Sequence, residues 1–200
     1  MPAAGTPAAG TPEPFVLRRA DGWLGFIARP VFPSGAQKGR QNMARGIQAG
    51  DAAPDFTLPS QSGEPVRLHD RLGQRVVVLY FYPKDNTPGC TAEACAFRDS
   101  YEVFAEADAE VIGISSDSAD KHAAFAGQHQ LPFTLLSDQG GKVRKLYGVP
   151  PVLGLLPGRV TYVIDRQGTV RHVFKSMTNI GQHVSDAVEI VRRLQTEQPA

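Results

Sequence analysis

Thiols are scarce in this chain. Its 200 residues include two cysteines, Cys90 and Cys95, separated by four residues. The Cys-x-x-Cys spacing of general disulfide oxidoreductases is therefore missing, which argues against that activity. No apolar run approaches the length needed to span a bilayer. Twenty-one basic residues face 20 acidic ones, and a formal net charge of +1 gives no argument for a nucleic-acid or membrane partner. There is no glycine-rich motif of the phosphate-cradling kinds. The five histidines (His69, His122, His129, His172 and His183) fall in separate elements, none at metal-ligand spacing to the cysteines. Each reads as a surface residue, and neither a metal nor an organic cofactor is implied. What remains is an ordinary globular composition, 42% hydrophobic and 20% charged. It suits one domain with a good core and some surplus length.

Both cysteines fall in one segment with a clear local logic. Arg75 to Tyr82 is a continuous apolar and aromatic run of strand length, rich in β-formers. It reads as a central strand buried on both faces. Pro83 ends it. Thr87-Pro88 reads as a helix N-cap followed by proline at the first helical position. Phe97, Tyr101 and Phe104 follow at helical spacing and face the core. Cys90 thus falls in the first helical turn, where backbone N–H groups lack partners and the macrodipole is positive. Both effects favour a thiolate over a thiol.

Cys95 lies five positions on. Across an intact helix that spacing puts the two Cα atoms roughly 8–9 Å apart, beyond the approximate 7 Å limit for a disulfide. Two readings stay open: small residues that never meet, or a redox pair that bonds only when the first turn or two unwinds. Glu93 stands three residues beyond Cys90. An acid in the first turn favours the helix, whereas a negative charge near a thiolate disfavours it. Arg98 lies further along and is left outside the reactive set.

The remaining pattern alternates strands and helices. Short strands are expected at 55–59 and 66–68, about a turn at 60–65. The cysteine helix runs to about Ala107. A strand follows at 110–115, then a helix at 118–128 capped by Ser118 or Asp117. A short strand at 134–136 and a short helix at 142–147 come next. Val160–Ile164 and Val170–Phe174 flank a hairpin turn at Asp165-Arg166-Gln167-Gly168. The last element is an amphipathic helix at 181–195, with Val184, Ala187, Val188 and Val191 on one face. This order suits an α/β class: a thioredoxin-like fold, its central mixed sheet flanked by helices.

Phe81-Tyr82-Pro83-Lys84-Asp85-Asn86-Thr87-Pro88-Gly89-Cys90-Thr91-Ala92-Glu93-Ala94-Cys95 closely resembles the active-site segment of the peroxiredoxin Q subfamily, which includes the bacterioferritin comigratory proteins. The resemblance spans about residues 47 to 195, with further ordered blocks at 50–58, 111–117, 131–138 and 156–165. It implies a thiol peroxidase acting on hydrogen peroxide and alkyl hydroperoxides. Cys90 is implied as the peroxidatic cysteine and Cys95 as the resolving one, joined in an intramolecular disulfide by way of a sulfenic acid. Thr87 is implied to offer its hydroxyl to the peroxide, Arg159 to stabilise the thiolate and the leaving oxygen, and Pro83 to shield the site from water. A thioredoxin-type reductant and a monomeric state are also implied. Each position has a plainer reading. Thr87 caps a helix, Pro83 ends a strand, Arg159 is solvated in a turn, and the cysteine pair serves a redox sensor rather than an enzyme.

The front of the chain is different. Residues 1–46 hold six basic residues (Arg18, Arg19, Arg29, Lys38, Arg40 and Arg45) against Glu13 and Asp21. That leaves 15 of the 21 basic and 18 of the 20 acidic residues in the body. The segment opens with a repeated Pro-Ala-Ala-Gly-Thr unit of low complexity. It reads as a targeting or disordered segment ahead of a peroxiredoxin domain at 47–200. Since plant and algal peroxiredoxin Q proteins are plastid proteins, the resemblance implies a plastid. The alternative is an extension on a bacterial cytoplasmic protein. The apolar stretch Pro150 to Leu156, just before Arg159, either borders the site or forms a docking surface.

Overall fold

The structure, a computed structural model, describes residues 45–152 and 156–197. All of the expected targeting segment but Arg45 and Gly46 therefore lies outside the described residues, as does the middle of the apolar stretch. In chain order the elements are β1 (Thr57–Pro59), β2 (Pro65–Arg67), β3 (Val76–Phe81), α1 (Pro88–Asp99), α2 (Tyr101–Glu106), β4 (Ala109–Ser115) and α3 (Ala119–His129). Then follow β5 (Thr134–Ser137), α4 (Lys142–Leu146), β6 (Pro151–Val152), β7 (Leu156–Pro157), β8 (Val160–Ile164), β9 (Val170–Lys175) and α5 (Ile180–Thr196). Among the described residues no helix is long and apolar enough to cross a membrane.

Five strands form a mixed sheet in the order β5-β4-β3-β8-β9. β3 pairs parallel with β4 and antiparallel with β8. The apolar run becomes the centre of this sheet because all six of its strand residues can be buried at once. Each stabilises the fold by roughly 1.5–3 kcal/mol relative to exposure. Strand periodicity splits the run between two cores. Val76, Val78, Tyr80 and Tyr82 face α1, α2, α3 and α5, packing with Phe97, Phe104, Phe125 and Val191. Val77, Leu79 and Phe81 face the other layer, with Leu68, Val143, Tyr147 and Tyr162. On α5, Val184, Ala187 and Val191 are buried and Val188 packs against them, the face expected from the sequence.

The cysteine helix is shorter than the pattern suggests. It stops at Asp99, Ser100 leaves the helical region at φ −100° and ψ 5°, and α2 begins at Tyr101. Positions 97 and 104 would stand about 10.5 Å apart along one straight helix. With the break, the Phe97 and Phe104 rings pack with centroids 5.9 Å apart in the same core. Helical periodicity alone does not show a change of direction that keeps the same residues facing inward.

Register places the site. Phe81 at the end of β3 lies opposite Val160 at the start of β8. The loop leaving β3 toward α1 and the residue entering β8, Arg159, therefore emerge at the same end of the sheet. Gly158 makes that entry possible: a Cβ there would stand 2.2 Å from the Pro150 carbonyl oxygen.

Candidate active site

Cys90 is the third residue of α1 and is 2% exposed. Thr87 occupies the N-cap with extended backbone (φ −95°, ψ 146°), and Pro88 opens the helix, as expected. The first backbone hydrogen bond of the helix runs from Thr91 N–H to the Thr87 carbonyl at 2.9 Å. The expected side-chain cap is absent. The Thr87 hydroxyl instead donates to the Lys84 carbonyl at 3.0 Å. That bond closes the loop on itself and leaves the first-turn N–H groups without a side-chain acceptor. Asn86, in the same loop, takes a left-handed φ of 57°, which asparagine tolerates better than most residues.

Arg159 is 4% exposed, not solvated. One nitrogen of its guanidinium, Nη2, donates to Cys90 Sγ at 3.3 Å, and the other, Nη1, donates to Glu93 Oε2. Glu93, one helical turn beyond Cys90, points inward and is fully buried. A single buried cation is thus shared by two groups that can carry negative charge. Burial pushes the Glu93 carboxyl up to about 8, against the opposing pull of Arg159. Its second oxygen, Oε1, has no hydrogen-bond partner among the described residues and lies 3.7 Å from His183 Nδ1.

His183 corrects the surface reading of the histidines, because it is fully buried. Its Nε2 bonds the Ser176 carbonyl at 2.8 Å and its Nδ1 meets the Thr161 hydroxyl at 2.7 Å. A carbonyl only accepts, so Nε2 carries the proton and Nδ1 accepts from Thr161. Burial holds the imidazole down to about 4, so it is neutral near pH 7.

His122 is the second buried histidine. Its Nδ1 lies 2.7 Å from Asp85 Oδ2, and the Tyr82 hydroxyl donates to Asp85 Oδ1 at 2.7 Å. The Asp85 N–H donates to Asp117 Oδ2 at 2.9 Å, and Arg144 Nη2 donates to the Tyr82 carbonyl at 3.0 Å. These bonds clamp the start of the loop between β3 and Cys90 to α3, α4 and the end of β4. Pro83 sits half-buried within that clamp.

Cys95 is half-buried on the same unbroken helix as Cys90, and both are free thiols. Arg98 points elsewhere, donating to the His129 carbonyl at 2.9 Å and pairing with Asp99. Of the sequence-expected residues, the structure brings Cys90 and Arg159 into direct contact. Thr87 and Pro83 lie in the loop that leads to them, and Cys95 stays apart. The pairing of Glu93 with Arg159, of Thr161 with His183, and of Tyr82, Asp85 and His122 with one another is not legible in the sequence. Glu93 alone carried a signal, its three-residue spacing from Cys90. Among the described residues no group of three or more His, Cys, Asp or Glu side chains could hold a metal ion.

The chain is similar to known proteins in sequence and in fold. The pattern of the AhpC/TSA family matches residues 49–173. The chain is 50% identical over 169 residues to peroxiredoxin Q, chloroplastic, of Oryza sativa subsp. japonica, covering 84% of this chain and 76% of that one. It is 52% identical over 149 residues to peroxiredoxin Q, chloroplastic, of Sedum lineare, covering 74% and 80%. The crystal structure of peroxidoxin BcpB from Mycobacterium tuberculosis superposes with a TM-score of 0.69 at 42% identity, covering 74% of this chain and 97% of that one. The thioredoxin-like fold expected from the sequence is thereby borne out, and the chloroplastic names support the plastid expectation. A buried cysteine at a helix start, held by a buried arginine on a mixed five-stranded sheet, belongs here to a chain of the AhpC/TSA family, and within it to the peroxiredoxin Q group of thiol peroxidases.

Proposed function

We propose that Cys90 is the peroxidatic cysteine of an intramolecular two-cysteine cycle in a plastid. The observation that carries this reading is the 3.3 Å contact between Arg159 Nη2 and Cys90 Sγ at a helix N-terminus, with both side chains almost wholly buried. The Cys90 thiolate attacks the terminal oxygen of hydrogen peroxide or an alkyl hydroperoxide. The O–O bond breaks, an S–O bond forms, and the leaving hydroxide or alkoxide takes a proton to give water or an alcohol. Arg159 is already aimed at the sulfur and supplies fixed positive charge where negative charge moves. Thr87 turns its hydroxyl from the Lys84 carbonyl to the peroxide, and Pro83 shields the thiolate from water.

The Cys95 thiolate then attacks the sulfenic sulfur. A disulfide forms and the oxygen leaves as water once protonated. The helix forbids this as it stands, since residues five apart on it are about 8.6 Å apart at Cα. The first turns of α1 unwind after oxidation while the Asp85 clamp holds the loop before them. A thioredoxin-type dithiol returns both cysteines to thiols by exchange.

The test is peroxide consumption coupled to thioredoxin, thioredoxin reductase and NADPH. The parent chain turns over, Cys90→Ser does not react, and Cys95→Ser consumes one equivalent without thioredoxin-driven turnover. Unchanged turnover by Cys90→Ser contradicts the reading.

A further inference from the structure

Arg159 offers one positive charge to two buried groups, Cys90 through Nη2 and Glu93 through Nη1. The surroundings of Glu93 do little for a second negative charge. Its Oε1 is buried without a hydrogen-bond partner. The nearest group from α5 is His183 Nδ1 at 3.7 Å, whose lone pair is taken by Thr161, and whose one N–H is taken by the Ser176 carbonyl. From β3 comes Tyr80, whose buried hydroxyl makes no hydrogen bond and senses the charges of Glu93 and Cys90. On α1 itself the facing group is Cys90. Among the described residues Arg159 is thus the cation that faces Glu93, and no other donor is within hydrogen-bond distance of the carboxyl.

We propose that Glu93 is a positioning residue that controls the Arg159–Cys90 pair. With its proton on, Glu93 leaves the guanidinium to the Cys90 sulfur; ionised, it competes for the same charge and turns the site down. The proposal rests on the reading of Cys90 as the attacking thiolate and adds a second acid–base group to it. Burial places the Glu93 carboxyl at about 8, and a thiolate on the other arm of Arg159 adds like-charge repulsion that moves it in the same direction. The thiolate is the attacking form, so a site without a second acid–base group would not slow as pH rises. Ionisation of Glu93 does slow it. An ionised Glu93 draws the guanidinium from the sulfur and adds an anion beside the charge that develops in the transition state.

The experiment is the pH profile of the second-order rate constant for Cys90 with hydrogen peroxide, by stopped flow under single-turnover conditions. It compares the full chain with its Glu93→Gln variant. The expected parent profile rises and then falls about tenfold on an alkaline limb at or above pH 8, one pKa unit's worth of lost stabilisation. In Glu93→Gln the rate rises to a plateau and the limb is gone. A plateau in the parent, or an alkaline limb that survives in Glu93→Gln, overturns the proposal. Should the variant fail to fold, an infrared pH titration of the parent decides. A protonated-carboxyl band must vanish with the same midpoint as the rate limb, and its absence below that midpoint overturns the proposal. Absence of any peroxide reaction in the parent, at any pH, instead removes the reading of Cys90 on which this one stands.

Discussion

Replacing Glu93 by Gln should change how stability depends on pH, and the size of the change follows from burial. In an unfolded chain the carboxyl releases its proton near 4.5; in the folded chain it holds it up to about 8. The native state therefore binds a proton that the unfolded state has lost, and stability falls as pH rises through that interval. His183 acts in the opposite sense. Its imidazole ordinarily titrates near 6.5 and is held down to about 4 in the fold. The unfolded state binds the extra proton there, so stability rises with pH between 4 and 6.5 and is lost again on acidification. The two slopes oppose one another up to pH 6.5. Above it, of these two groups, Glu93 contributes, at about 1.36 kcal/mol per pH unit until its own titration flattens the curve. From pH 6.5 to 8 the parent should lose on the order of 2 kcal/mol through this group, and Glu93→Gln should not. Urea unfolding across this window, with Cys90→Ser in both chains so that no thiol titrates at that position, measures the difference directly. A stability difference that stays constant across the window would refute the reasoning, because Glu93 would then be ionised in the folded protein throughout.

Three further outcomes follow. Arg159→Met should slow the reaction of Cys90 with peroxide about ten- to hundredfold, as expected for losing a charge-assisted hydrogen bond of roughly 1.5–3 kcal/mol; a loss below threefold in stopped flow contradicts that role. Asp85→Ala should destabilise the fold by roughly 2–4 kcal/mol in denaturant titrations, since it leaves the buried Tyr82 hydroxyl and His122 Nδ1 without their acceptor; near-neutral stability would mean that the clamp is not structural. Hydrogen exchange after one equivalent of peroxide should accelerate across residues 88–95 and leave β3 protected. Unchanged protection in α1 with the disulfide formed would refute the unwinding.

Much of this fold could be read from local pattern. The run before Pro83 had nowhere to go but the sheet centre, and Thr87-Pro88 marked the helix start to the residue. The β8–β9 hairpin was signalled by Asp165-Arg166-Gln167-Gly168, where Gly168 takes a φ of 80° and the Asp165 side chain accepts from Gln167 and Thr169 N–H groups. What stayed hidden depends on pairing across the chain. Glu93 and Arg159 are 66 positions apart, and nothing near either residue announces the other. His122 and His183 each stand alone in a helical pattern, and only Asp85, Thr161 and Ser176, brought in by the tertiary fold, make their burial tolerable. Thr87 has the right identity and backbone for a cap, yet a nearby carbonyl in its own loop takes the hydroxyl. Local composition identifies groups able to react, while the sheet register decides which charges they meet.

Intact mass in the absence of reductant decides whether Cys90 is oxidised first and Cys95 closes the bond. The reduced protein is treated with one equivalent of peroxide, alongside Cys90→Ser and Cys95→Ser. Loss of two hydrogens is expected in the parent, one added oxygen in Cys95→Ser and no change in Cys90→Ser. An unchanged parent mass, or an oxygen added to Cys90→Ser but not to Cys95→Ser, would contradict that order of events.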